Sequence, residues 1–303
     1  MIKSITVTNY LGDSIKMELA RPEKSGFIVH SVHGLGPGKA SINTTEVSTN
    51  DGGIFNSARL PSRNIVIGLL YMWQDSIEEV RHKSYKYFPL KKKVKLTIET
   101  DTRTAFIEGY VEANEPNIFS KVEGADISII CPNPLFYSTE KDNSEVVFSG
   151  VESAFEFPFS NESLVEPLLE MSIMRNTIEQ VVTYDGDADI GVTITINAID
   201  TATNITIYNT GTREIMRLDT SKIEAITGSG IVAGDSITIC TVKGRKSITL
   251  LRAGKTTNIL NCLDRNSDWF SLTKGDNVFA YTAEDGASNL MFRIDHQVVY
   301  EGV

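Results

Sequence analysis

The chain has 303 residues, of which 41% are hydrophobic and 22% charged, a globular composition with length enough for two cores of about 140 to 160 residues each. A formal net charge of -10 disfavours any surface that holds nucleic acid by neutralising phosphates, and no apolar run approaches the roughly 18 residues that cross a bilayer as a helix. Three widely spaced cysteines, Cys131, Cys240 and Cys262, argue against a disulfide framework or a paired Cys-x-x-Cys metal site and read as reduced core residues.

Ile2 to Thr8 alternates as a strand and lacks the regions of a secretion signal, so synthesis and folding in a cytoplasm are expected. Asn9 to Ser14 is a turn leading to Ile15–Leu19, a hairpin signal. Phe27 to Val32 is a further strand, ending in Gly34-Leu35-Gly36-Pro37-Gly38-Lys39. A phosphate loop would need glycine where His33 stands and a hydroxyl where Ala40 stands, so this piece is expected to be a connecting turn. His30 and His33 lack a nearby cysteine or carboxylate to complete a metal set.

Ser41 to Val47 is extended, and Asn50-Asp51-Gly52-Gly53 is a turn. Arg63 to Met72 is a long apolar strand expected to be covered on both faces. One helix follows, with Asp75 as N-cap, Glu78 closing a capping box, Ile77, Val80, Ser84 and Phe88 at helical spacing, and Pro89 as stop. The lysines at 91 to 93 lead into the alternating residues Val94, Leu96 and Ile98 and read as a solvated strand entrance, paired with Arg103–Val111. Asn117 to Val122 leads on to a strand over 125–130.

Cys131-Pro132-Asn133-Pro134-Leu135-Phe136-Tyr137-Ser138 is the seam of the chain. Two prolines one residue apart remove two ladder donors, so an ordinary central strand cannot continue through them. The expected domains are 1–138 and 139–303. Beyond the seam about a dozen short strand candidates, from Glu145–Phe148, Ala154–Phe159 and Leu168–Met174 to Asn289–Ile294 and Gln297–Tyr300, are separated by turns such as Asp185-Gly186 and Lys243-Gly244. With no helical period among them they describe a sandwich of two antiparallel sheets.

Chemistry-bearing patterns are weak. Asp185, Asp187 and Asp189 alternate like the start of a calcium loop, but the bidentate glutamate position is Ile196. No metal and no cofactor is expected, and no nucleophile signature is present. Trp269, Phe270 and Tyr300 could stack a sugar, although aromatics within strands are more often core.

Gly34-Leu35-Gly36-Pro37 with Ile42-Asn43-Thr44-Thr45-Glu46, Asp51-Gly52, Arg63-Asn64-Ile65, Tyr85-Lys86-Tyr87-Phe88-Pro89, Gly109-Tyr110-Val111-Glu112 and Cys131-Pro132-Asn133-Pro134 resemble the N-terminal domain of phage distal tail proteins. Gly234-Asp235-Ser236-Ile237-Thr238-Ile239, Trp269-Phe270-Ser271-Leu272 and Lys274-Gly275-Asp276-Asn277 resemble the closing strands of the same Dit-like family. Two positions depart from it: Asn133 and Cys240 stand where acids are expected. The resemblance implies a mainly β fold, with an N-terminal belt domain carrying one α-helix and a C-terminal galectin-like sandwich. It also implies a homo-hexameric ring that joins the tail-tube protein to the tail-tip hub or receptor-binding proteins, located in the virion tail. An exposed sheet edge invites a neighbouring chain and a two-sided strand needs cover, so Ile65, Ile67, Leu69 and Tyr71 become ring-interface candidates. The expected role is structural rather than enzymatic. The alternatives are a carbohydrate-binding module for host glycans and, behind it, a glycosidase.

Overall fold

A computed structural model describes residues 1–46, 51–72, 76–139, 145–153, 172–176 and 178–303. It divides into two compact units, Met1–Glu140 with Val299–Val303, and Lys141–Val298.

In the first unit β1 (Ile2–Thr8) and β2 (Ser14–Glu18) form the expected hairpin. Asn9 closes it by accepting bonds from Leu11 N and Asp13 N, both at 3.0 Å, while Gly12 takes the left-handed φ of 90° that the turn requires. Then come β3 (Phe27–His33), β4 (Ser41–Glu46), β5 (Gly53–Arg59) and β6 (Arg63–Tyr71). After helix α1 (Ile77–Tyr87) follow β7 (Lys93–Thr100), β8 (Thr104–Pro116), β9 (Gly124–Cys131) and β10 (Phe136–Ser138). The main sheet runs β2-β1-β7-β8-β9-β6-β3, and every adjacent pair in it is antiparallel. One face of each strand supplies the core, including Ile5, Val7, Leu96, Ile107, Ile127 and Ile129. Against this core α1 lays Ser84 and Phe88, both buried, with Ile77 and Val80 half-covered. Asp75, the expected N-cap, lies outside the described residues; the helix opens at Ser76, whose side chain makes no capping bond.

Two sequence expectations are corrected in this unit. Strand β6 is fully buried on the face of Ile65, Ile67, Leu69 and Tyr71 only, while on the other face Asn64 is exposed and Val66 and Leu70 are half-buried. The seam also does not release the chain at its prolines. After Pro134 the backbone rejoins the sheet as β10, pairing with β8 through Tyr137 opposite Phe106 and Ser138 opposite Ala105.

In the second unit β11 (Glu145–Val147), β12 (Ser149–Ser153), β13 (Ser172–Asn176), β14 (Glu179–Tyr184), β15 (Ile190–Gly191), β16 (Thr193–Ala198), β17 (Thr203–Asn209) and β18 (Glu214–Leu218) lead to helix α2 (Thr220–Thr227). The chain continues through β19 (Ser236–Cys240), β20 (Ser247–Arg252), β21 (Lys255–Asn258), β22 (Ser271–Leu272), β23 (Gly275–Asp285) and β24 (Leu290–Asp295). One sheet runs β11-β24-β16-β19-β20-β21 and the other β14-β23-β17-β18. Strict alternation buries Ile194, Ile196, Ile237 and Ile239 from the first and Val182, Ile205, Ile207 and Phe279 from the second. Tyr281 of one sheet stacks on Phe292 of the other at 3.8 Å between ring centroids, so the two inner faces form one core. Helix α2 was not expected from the sequence. The strand candidate Ala154–Phe159 and the start of Leu168–Met174 lie outside the described residues.

The final strand, β25 (Val299–Tyr300), was expected in the second domain but belongs to the first unit. It pairs with β10, Tyr300 opposite Phe136 and Val299 opposite Tyr137.

Candidate interaction surfaces

The four ring-interface candidates lie inside the first unit's own core. Ile65, Ile67, Leu69 and Tyr71 are 0 to 3% exposed, and Tyr71 is held further by a 3.2 Å bond between its hydroxyl and Ser84 Oγ. Their cover comes from the same chain, so a neighbouring copy cannot reach them without unfolding the sheet.

The glycine-rich connection after β3 is shaped by contact with β6. A Cβ on Gly34, which has a φ of +86°, would stand 2.2 Å from Asn64 O. Arg63 then fixes this connection, donating from Nη1 to Gly34 O at 2.8 Å and Gly36 O at 2.6 Å and from Nη2 to Glu301 O at 2.6 Å. Its guanidinium lies 4.8 Å from the centre of the Phe136 ring, and burial lowers its pKa. The glycines therefore serve a clamp between backbone segments. His30 and His33 are both exposed, and among the described residues no group of three or more His, Cys, Asp or Glu is placed to hold a metal.

Strands β4 and β5 form a sheet of their own, paired from Ser41 opposite Arg59 to Glu46 opposite Gly53. Every residue of both strands is exposed, and Ile42, Ile54 and Phe55 each remain at least 60% open to solvent. An isolated two-stranded ribbon is marginal in water, and apolar side chains on it gain nothing until another surface covers them. The sequence signal was the adjacent pair Ile54-Phe55 beyond the Gly52-Gly53 turn, where no strand was expected.

In the second unit a groove of about 730 Å³ opens on the outward face of β14-β23-β17-β18, with Asn204, Thr206, Tyr208, Arg217, Asp264 and Glu284 among its lining residues. Asn204 Nδ2 donates to Glu284 Oε2 at 2.8 Å, and Tyr208 is half-buried. The aromatics singled out in the sequence do not meet there. Phe270 is core, Trp269 sits beneath Lys246, and Tyr300 lies in the first unit against Arg103. Asp185, Asp187 and Asp189 are exposed on a loop closed by a 2.7 Å bond from Tyr184 Oη to Ala188 O. Asp235, of the Gly-Asp-Ser motif, is buried and accepts Arg252 Nε at 2.7 Å and Nη2 at 2.5 Å, an ion pair that also holds the end of α2 through Ser229 Oγ at 2.6 Å. That motif is structural. At one of the two departures from the family pattern, Asn133 accepts Leu135 N and donates to Tyr137 Oη, bracing the seam.

Residues 185–297 match the family described as "Siphovirus-type tail component, C-terminal domain". The fold of nearly the whole chain is that of the Dit protein of phage SPP1, whose structure is titled "a Paradigm of Hub Adsorption Apparatus in Gram-positive Infecting Phages": 14% identity, TM-score 0.62, covering 97% of this chain and 98% of that one. Chains of the phage p2 baseplate in its activated conformation are more distant. The strontium form gives 10% identity and a TM-score of 0.46, covering 97% of both chains; the calcium form gives 12% and 0.47, covering 100% of both. No curated protein matches the sequence.

Proposed function

We infer that this Dit-like phage tail component is a ring-forming adaptor, assembled in the host cytoplasm, that joins the tail tube to the host-recognition tip. The tail assignment is supported by the family match over 185–297 and by a fold shared with a hub protein along nearly the full chain. The single observation that carries assembly is the β4–β5 arm, whose Ile42, Ile54 and Phe55 are left open to solvent among the described residues. A heterologous contact repeated around an axis covers such an arm on every copy. The count of six follows from the family resemblance alone. Light scattering and native mass spectrometry on the full chain, alone and mixed with tail-tube protein, test the reading. Rings of six are expected, and a monomer in every sample would overturn it.

A second reading is favoured by one feature, the polar groove with its half-buried Tyr208 on the outward sheet of the second unit. An aromatic face beside mixed carboxylate, amide and guanidinium groups suits a sugar. A glycan array with wild type and Tyr208→Ala tests it, and binding that the substitution abolishes would establish it.

A further inference from the structure

We propose that the first unit carries a knob and a matching socket at opposite ends of one sheet, through which each copy of the chain docks head-to-tail onto the next. The proposal rests on the ring reading and names its contact.

The knob is Phe119, in the turn between β8 and β9. Its side chain is 99% exposed, and its φ of 72° is a backbone conformation that costs an aromatic residue energy and returns nothing within the isolated chain. The turn is nevertheless held in place. Asn117 N donates to Gly124 O at 2.9 Å, and the ion pair of Arg81 with Glu123 at 2.6 Å ties its base to α1. Ile118 and Val122 extend the apolar tip. A strained but anchored hydrophobic projection is preorganised for a partner surface.

The socket is a cavity of about 260 Å³ walled by Gly34, Gly36, Pro37, Pro61, Arg63 and Pro134. Its volume exceeds the roughly 150 Å³ that admits a benzene ring. Because Arg63 pins the carbonyls of Gly34 and Gly36, that wall is preformed.

Register places the two features apart. Along the β6–β9 pair, Arg63 faces Cys131 at the socket end and Leu70 faces Gly124 at the knob end, a separation of roughly 23 Å at about 3.3 Å per residue. Knob and socket therefore cannot meet within one chain, whereas they can meet between successive copies. Charge points the same way. Beside the knob, Glu115 stands directly opposite Asp126, both exposed and neither in an ion pair, an arrangement that repels. At the socket rim stands Lys39, also exposed and without an ion pair. Docking brings these acids to this lysine.

The test uses the full chain with Phe119→Ser, which removes the knob, and Gly36→Trp, which fills the socket; a Cβ at Gly36 meets nothing within 4 Å. Thermal unfolding of both variants is expected to match wild type. Each variant alone should be monomeric by native mass spectrometry, and an equimolar mixture should stop at heterodimers, since only one intact interface remains per pair. Wild-type rings with variants that also form rings would overturn this contact and leave the ring reading standing. A wild type that stays monomeric even with tail-tube protein would overturn both. Should Gly36→Trp fail to fold, charge reversal replaces it: Lys39→Glu is expected to weaken assembly at least tenfold, and Glu115→Lys in the same chain to restore it. Absence of that rescue would equally reject the contact.

Discussion

His296 is an imidazole in the wrong place for a charge. It is 7% exposed, Nδ1 has no hydrogen-bond partner among the described residues, and the ring packs edge-on against Tyr184 at 5.8 Å. Burial lowers its pKa, only partly offset by the Asp295 carboxylate next to it. The unfolded chain therefore binds the proton first, so the neutral ring's contribution is full above the ordinary histidine pKa of about 6.5 and is lost as pH falls below it. Asp295 acts in the opposite sense, because burial raises its pKa and protonation at lower pH relieves the cost of its charge. The melting temperature of the second unit is expected to fall between about pH 7 and pH 5, and His296→Phe should flatten that fall; an unchanged slope in the variant would assign the titration elsewhere. Arg63 presents the converse case, a buried charge that satisfies carbonyls. Arg63→Ala leaves Gly34 O, Gly36 O and Glu301 O without their donor, and a loss of about 3 kcal/mol is expected in urea unfolding. Arg63→Lys, which carries no planar fork, should recover only part of it.

At the scale of elements, α2 begins at a true cap: Asp219 Oδ1 accepts Ser221 N at 3.0 Å and Ser221 Oγ at 2.5 Å, and the hydroxyl bond above all holds the Asp219 carboxyl below its usual pKa. Asp219→Ala is expected to cost about 1 kcal/mol and Asp219→Asn far less, read from thermal unfolding. The cap and the left-handed Gly228 at the other end were the only sequence signs of this helix. Within it Thr220 and Ile223 alone are buried, too few to set a 3.6-residue rhythm, whereas α1 showed Ile77, Val80, Ser84 and Phe88 at that spacing. Strands that face one core on one side, such as β16 and β17, were legible for the same reason. Strand β5 was not, because it buries neither face. The misassigned interface on β6 has a related cause. An apolar alternation states that a face is covered, but not whether the cover is the strand's own core or another chain. The groove was illegible because its parts are remote in sequence, Asn204 and Glu284 being 80 positions apart.

For the whole molecule the consequential segment is the last five residues. The proline seam and the strand rhythm beyond it marked 139–303 as one domain, yet Val299–Val303 fold with the first unit: β25 pairs with β10, Val303 N donates to Leu35 O at 3.1 Å, Arg103 stacks on Tyr300 at 4.3 Å, and Glu301 O accepts from Arg63. The second unit is thus inserted between two neighbouring strands of the first, and the first is incomplete without a piece that follows the second. A protease site engineered after Thr139 should therefore cut the chain without releasing its parts. The fragment that begins at residue 140 carries β25 and its clamp, so both pieces are expected to co-elute in gel filtration and separate only in denaturant. Removing residues 299–303 before the cut withdraws that attachment, leaves the Arg63 guanidinium one carbonyl short and uncovers Phe136, so the pieces should separate more readily and the first unit should melt at a lower temperature. Immediate separation of the full-length cut protein, or no effect of the truncation, would mean that β25 contributes nothing to holding the first unit closed.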